Sequence, residues 1–196
     1  MKDIVIIGAG GIGREVAWII EEINEVNPTW NIVGFVDDNI EMHNKELNGY
    51  KVLGGLDVLD KLESKPEVIV AIANCKVKKD IVAKLNNKFD FATIIYPTVR
   101  ISKYIEIGQG TIIYPGVILT VNTKIGNHVV ISGNCGIGHD TVIGDFSSVL
   151  WGSCFSGFDI VGQECFVGVG TKVAQGVSIA NGRRISTGGI ITEDVL

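Results

Sequence analysis

Cysteine is scarce in this chain, and its four copies, Cys75, Cys135, Cys154 and Cys165, never stand in a C-x-x-C spacing. That argues against a metal cluster or a disulfide framework and for reduced, buried thiols. Long apolar runs are also missing: nothing approaches the ~20 residues that a membrane-spanning helix needs. The opening Met1–Gly8 has neither the length nor the cleavage pattern of a secretory signal, so a cytoplasmic protein is expected. Basic blocks are absent as well. Lysine and arginine number 17 against 22 acidic residues, a net charge of −5, which makes nucleic acid an unexpected partner. Only three histidines are present, so each can be weighed singly.

What the chain does have is a period. From Ile101 to Ile191 an aliphatic or aromatic residue stands at every sixth position, through Ile107, Ile113, Leu119 and onward without a break. The next position is usually small, as at Gly108, Gly126, Gly144 and Gly168. A six-residue period is neither helical nor strand alternation. It marks a hexapeptide β-helix, in which each hexad makes a short strand and one corner of a triangular prism. The large residue should point inward and the small one should let the chain turn. No insertion interrupts the hexads, so no long loop should leave the prism.

Residues 1 to 97 follow a different grammar, alternating strand and helix patterns that predict a small parallel α/β sheet. Lys2–Ile7, Ile32–Val36, Lys51–Gly55, Glu67–Ile72 and Phe91–Ile95 read as strands. Arg14–Glu25, Leu56–Leu62 and Lys78–Lys88 read as helices, the first with Val16, Ile19, Ile20 and Ile23 on one face. Tyr96-Pro97 marks the boundary. Two domains are therefore expected, a Rossmann-like unit over 1–97 and a β-helix over 98–196.

Gly8-x-Gly10-x-x-Gly13 follows the first strand and opens the first helix, a setting in which backbone N–H groups can cradle a phosphate. Asp37 ends the second strand, where a ribose-binding carboxylate would sit. A full NAD site needs two such halves, and only one fits before residue 97. Nucleotide or nucleotide-sugar binding, a purely structural turn and NAD all remain readings of these glycines. Among the histidines, His43 lies in a polar loop and reads as solvated. His128, beside Asn127 at a hexad corner, reads as a surface residue. His139 is second after the inward Ile137 and is followed by Asp140, and the stacked position in the next coil is Gly157. A carboxylate beside an exposed imidazole, with room next to it, suits a general base.

Gly8–Gly13, Phe35-Val36-Asp37-Asp38, Ala71-Ile72-Ala73-Asn74, Ile95-Tyr96-Pro97 and Ile137–Phe146 occur in the order of one family. The chain resembles the bacterial sugar acetyltransferases that include the NeuD sialic-acid O-acetyltransferases and the PglD-type UDP-amino-sugar N-acetyltransferases. The resemblance implies a left-handed β-helix, a homotrimer with active sites between subunits, and acetyl-CoA as co-substrate. It implies a nucleotide-sugar held by Gly8, Gly10, Gly11, Gly13, Asp37 and Asp38, with Asn74 and Lys78 nearby. His139 would be the base and Asp140 its acidic partner, and CoA would touch backbone at Gly157, Val169 and Thr187. No metal is expected. The chain departs from the family at Ile12, Tyr96 and Ser148.

Three functions follow for testing: N-acetylation of a nucleotide-linked amino sugar, O-acetylation of a sugar hydroxyl, and a non-catalytic nucleotide-sugar-binding scaffold. In either enzyme, amide groups around Gly157 are candidate oxyanion donors. The trimer is expected to pack through the prism face centred on Ile113, Ile131, Val149, Val167 and Ile185. Its outward neighbours Ile112, Tyr114, Val130, Leu150 and Phe166 form an apolar stripe. The other reading of that stripe is cover by the chain's own N-terminal half.

Overall fold

The computed structural model describes residues 1–85 and 88–196. The N-terminal part has strands β1 (Lys2–Ile7), β2 (Trp30–Val36), β3 (Glu46–Leu47), β4 (Tyr50–Gly54) and β5 (Glu67–Val70). They form one sheet in the order β3-β4-β2-β1-β5, parallel except for the β3 edge. Helix α1 (Gly11–Val26) buries Val16, Ala17, Ile19 and Ile20 against it. Helix α2 (Cys75–Leu85) buries Cys75, Lys78, Ile81, Val82 and Leu85. The expected helix Lys78–Lys88 therefore starts a turn earlier, and residues 86 and 87 of that expectation lie outside the described residues. The piece expected as a helix at Leu56–Leu62 is a 3₁₀ segment, Leu56–Lys61.

The hexads build a left-handed parallel β-helix of two-residue strands. Its three sheets have six, five and five strands. The first face is β6 (Ile94–Ile95) followed by strands from Ile112–Ile113 to Arg184–Ile185. The second runs from Ile118–Leu119 to Ile190–Ile191, and the third from Glu106–Ile107 to Ser178–Ile179. Stacked strands pair at a separation of 18 residues, as in Lys124↔Val142 and Ile125↔Ile143. The second residue of each strand is the inward one, and Ile113, Ile131, Ile143, Val149 and Val167 are fully buried.

Two details correct the hexad reading. Ile101 is not an inward anchor; it is 41% exposed, because the chain turns after Tyr96 and forms no strand before Glu106. The small residue after each anchor does not make the turn. At Gly108, Gly144 and Gly168 an added Cβ would lie 2.5–2.6 Å from backbone of the next coil, so smallness there serves coil stacking. The turn comes two residues later. Every sixth residue from Gly110 to Gly188 has a positive φ, the places without glycine being taken by Asn122, His128, Asn134, Asp140, Phe146, Phe158 and Glu164.

The segment Phe91–Ile95, expected as the last strand of the α/β sheet, is divided. Phe91 bridges Val68 at the sheet edge, whereas Ile94–Ile95 pair with Ile112–Ile113 and start the prism. The first face is also where the N-terminal domain sits. Ile112, Tyr114 and Val130 are buried. Tyr114 donates to Glu15 at 2.9 Å, and Ser148 Oγ donates to Ala73 O at 2.9 Å. The stripe expected to join three subunits is thus covered at Ile112, Tyr114 and Val130 by the chain's own N-terminal half, with Leu150 and Phe166 left half-buried, so its burial does not come from a trimer contact. Apolar outward residues signalled burial correctly, but not by what.

Lys78 belongs to this junction. It is 1% exposed, and its ammonium donates to Ser147 O at 3.2 Å and Ser148 Oγ at 3.1 Å. No carboxylate bonds it among the described residues. Burial pulls its pKa down to about 7. A lysine that holds its proton less tightly folded than unfolded costs stability in full below pH 7, and the cost fades as pH rises towards 10.5. Each unit of such a shift is about 1.4 kcal/mol. Lys78→Met should therefore raise the thermal midpoint at pH 6 and do so less, or reverse sign, at pH 9. Equal destabilisation at both pH values would refute this.

Candidate active site

The N-terminal half offers a cleft at the carboxyl ends of its strands. The chain runs from β1 out to β2 and β4, then crosses back to β5 on the other side of β1, so the loops after β1 and β5 flank the switch point where α/β sheets bind ligands. A cavity of about 160 Å³ lies there, lined by Gly8, Asp37, Asp38, Leu56, Ile72 and Val77 among others. Gly8 has φ +103°, and its place beside Ala71 O leaves no room for a side chain. At Gly13 a Cβ would fall 1.9 Å from Gly8 O, so this glycine lets α1 close on the loop. Gly10 and Gly11 have nothing within 4 Å of an added Cβ, and Gly10 caps α1 without a side-chain bond. That leaves the helix N-terminus open to an anion.

The carboxylates divide their work. Asp37 Oδ2 accepts from Ala9 N at 2.8 Å and ties the glycine loop down, while its Oδ1 accepts from Asn39 N at 2.9 Å and fixes the turn after β2. Asp38 is exposed at the cleft and accepts from Leu56 N at 3.2 Å. Asn74 caps α2, accepting from Val77 N at 3.0 Å. Lys78 is not near this cleft's ligand space; it points into the domain junction, which corrects its expected place beside the nucleotide-sugar. His43 is half-buried rather than solvated, with Nε2 2.8 Å from Asp37 O.

His128 is the largest correction among the histidines. It is 3% exposed, stacked on Phe146 at 5.3 Å and met edge-on by Phe91 at 4.7 Å. Its Nδ1 has no hydrogen-bond partner. Burial and then the charge of Lys78 push its pKa down to about 4, so it stays neutral at ordinary pH. It tucks inward because Gly110 makes room: a Cβ there would be 2.1 Å from the ring.

His139 sits at the corner between the second and third faces, its side chain 42% exposed. Nδ1 lies 2.9 Å from Asp140 Oδ2. Asn122 donates to the other oxygen, Oδ1, at 2.9 Å. That bond first, and the imidazole second, hold the Asp140 carboxyl below its usual range. An ionised carboxylate only accepts, so Nδ1 is the donor of this bond, and the neutral form of the ring has its lone pair on Nε2. Phe158 meets the ring edge-on at 4.9 Å. Gly157, with φ +133°, stands where any Cβ would be 2.9 Å from Cε1 and Nε2. Its N–H, expected among the oxyanion donors, is already donated to Asp159 Oδ2 at 3.1 Å.

Gly157 and the exposed pair Val169 and Thr187 do not share a corner. Gly157 lies with His139, whereas Val169 and Thr187 stack on the corner between the first and second faces. Together they bracket the second face, whose outward residues between them are mostly small, Gly136, Gly138, Cys154, Ser156 and Ala174, with the exposed Lys172 reaching back to Gly152 O at 3.0 Å and Cys154 Sγ at 3.3 Å. Among the described residues no group of three or more His, Cys, Asp or Glu side chains could hold a metal ion, and no helix is long and apolar enough to cross a membrane.

Comparison with known proteins bears on this arrangement. Residues 3–85 match the family described as PglD N-terminal domain. The GDP-perosamine N-acetyltransferase of Escherichia coli O157:H7 is 30% identical over 174 residues, covering 88% of this chain and 78% of that protein. The chain belongs to the PglD-type bacterial sugar acetyltransferases. It is therefore an acetyltransferase. The UDP-N-acetylbacillosamine N-acetyltransferase of Bacillus subtilis (strain 168) is 29% identical over 115 residues, 57% of this chain and 50% of that one. PerB from Caulobacter crescentus, solved in complex with CoA and GDP-perosamine, shares the fold at a TM-score of 0.89 and 23% identity, over 100% of this chain and 91% of its own.

Proposed function

We propose that this acetyltransferase moves the acetyl group of acetyl-CoA to the amino group of a nucleotide-linked amino sugar. The observation that carries the reading is the His139–Asp140 pair, with Nδ1 held and Nε2 free at an open corner. The relatives' names, perosamine and bacillosamine N-acetyltransferases, supply the acceptor class. The nucleotide goes to the cleft beside Gly8, Asp37 and Asp38, its phosphates to the open amides at Gly10 and Gly11, with the buried Gly13 letting α1 close on the loop and Asn74 at the rim. Acetyl-CoA lies along the second face between the Gly157 corner and the Val169–Thr187 corner. The acceptor nitrogen, as free amine, attacks the thioester carbonyl. Its N–H proton passes to His139 Nε2 while the carbon–sulfur bond breaks, and the departing CoA thiolate takes that proton back.

The same reading calls for a homotrimer. The His139 corner is opposite the first face, and the first face carries the N-terminal domain. Cleft and base of one chain are thus on opposite sides of the prism. Around His139, Ile118, Val121, Phe158 and Ile160 are exposed, an apolar surroundings suited to a second copy. A sugar seated in one cleft then meets His139 of the partner subunit.

The test is product analysis. Incubation with acetyl-CoA and GDP-, UDP- or dTDP-linked amino sugars should give one acetyl group per sugar, stable to mild alkali. An alkali-labile product would mean an ester and O-acetylation. No CoA release with any such acceptor would leave a binding scaffold.

A further inference from the structure

We infer that Asn122 is a positioning residue for the His139–Asp140 pair; the catalytic meaning of this rests on the function proposed above, the geometry does not. Adjacent residues in an extended chain point their side chains to opposite sides. Asp140 escapes this because it occupies the left-handed region at φ +57°, which Asp and Asn tolerate better than most residues. The turn brings its carboxylate alongside the preceding imidazole. A short side chain at an open corner still has rotamers to choose from, and its own side chain is a third exposed. Asn122 removes that choice. It stands 18 residues earlier, one coil away on the same corner, at a matching φ of +58°. Its amide donates to Oδ1 at 2.9 Å, which leaves Oδ2 to face His139 Nδ1 at 2.9 Å.

The consequence is a choice of tautomer. A free imidazole in water favours the proton on Nε2, which would leave the outward nitrogen unable to accept. The Asn122–Asp140 bond holds the carboxylate where it keeps the proton on Nδ1 and the lone pair on Nε2. Asn122 bonds Asp140, which in turn bonds the imidazole, so its effect passes through Asp140.

The test uses the full chain labelled with ¹⁵N-histidine, the His139 signals being assigned by their loss in His139→Ala. In the parent, neutral His139 should show the Nδ1–H form. In Asn122→Ala it should move towards the mixture of a free imidazole, with a thermal midpoint lowered by only a few degrees, the cost of alanine at a left-handed φ. With a working acceptor, kcat should fall about 10-fold, part of the ~10²–10⁴ that a general base supplies, with KM for acetyl-CoA kept. Asn122→Ser, which retains a short donor, should recover part of both signals. An unaltered tautomer in Asn122→Ala overturns the inference, whatever the activity does. A changed tautomer with unchanged kcat, alongside a fully active His139→Ala, would instead overturn the role of His139 as base.

Discussion

His139→Ala should lower turnover by about 10²–10⁴-fold, the range a positioned base supplies, with little change in KM for acetyl-CoA. The loss falls on kcat because the imidazole matters when the attacking nitrogen must shed a proton, not when substrates bind. Folding should survive. His139 lies at an open corner, and its bonds are to Asp140 and an edge contact with Phe158, not to the core. The residual rate of the variant should climb with pH, because solvent base can then take the N–H proton that His139 takes in the parent. Steady-state kinetics on the variant decides the matter. Parent-like kcat would remove His139 from the chemistry.

Much of this was legible in the residues. The six-residue period placed the strands, because a hydrophobic interior three strands wide forces an inward residue at each side of the prism. His139 and Asp140 could be paired on paper because they are neighbours at a corner. Asn122 could have been found the same way, since 18 residues is one coil, but an isolated asparagine at a turn has an ordinary conformational explanation. The outer stripe at Ile112, Tyr114 and Val130 announced burial and gave no clue to the covering element. Lys78 has a signal of its burial in its position along α2. It falls three residues after Cys75 and three and four before Ile81 and Val82, on the apolar side of α2, where a solvated ligand-binding lysine does not belong.

His128 and Ile101 were misread for reasons of tertiary context. A corner histidine is exposed unless something lies over it, and Phe91 and Phe146 do. A hexad anchor is inward only where the coil around it closes, and no strand of the second face stands above Leu119 to receive Ile101. The glycine loop was readable as an anion cradle, but the use of one Asp37 oxygen to fasten that loop depends on where Ala9 falls in space.

The cleft and the base belong to opposite sides of one prism, and the central claim is that copies of the chain bring them together. Subunit complementation measures this most directly. His139→Ala lacks the base and keeps the cleft. Val77→Trp fills the cleft from the exposed side of α2 and keeps the base. Each alone should be nearly inactive at low acceptor concentration. When the two are co-expressed or refolded together, random assembly should give working sites at about a quarter of positions, those where a sound cleft faces a sound His139 across the interface. Acetyl transfer should recover towards a quarter of the parent rate. Mixed assemblies no more active than the sum of their parents, or a parent enzyme fully active as a monomer, would contradict a site built between subunits.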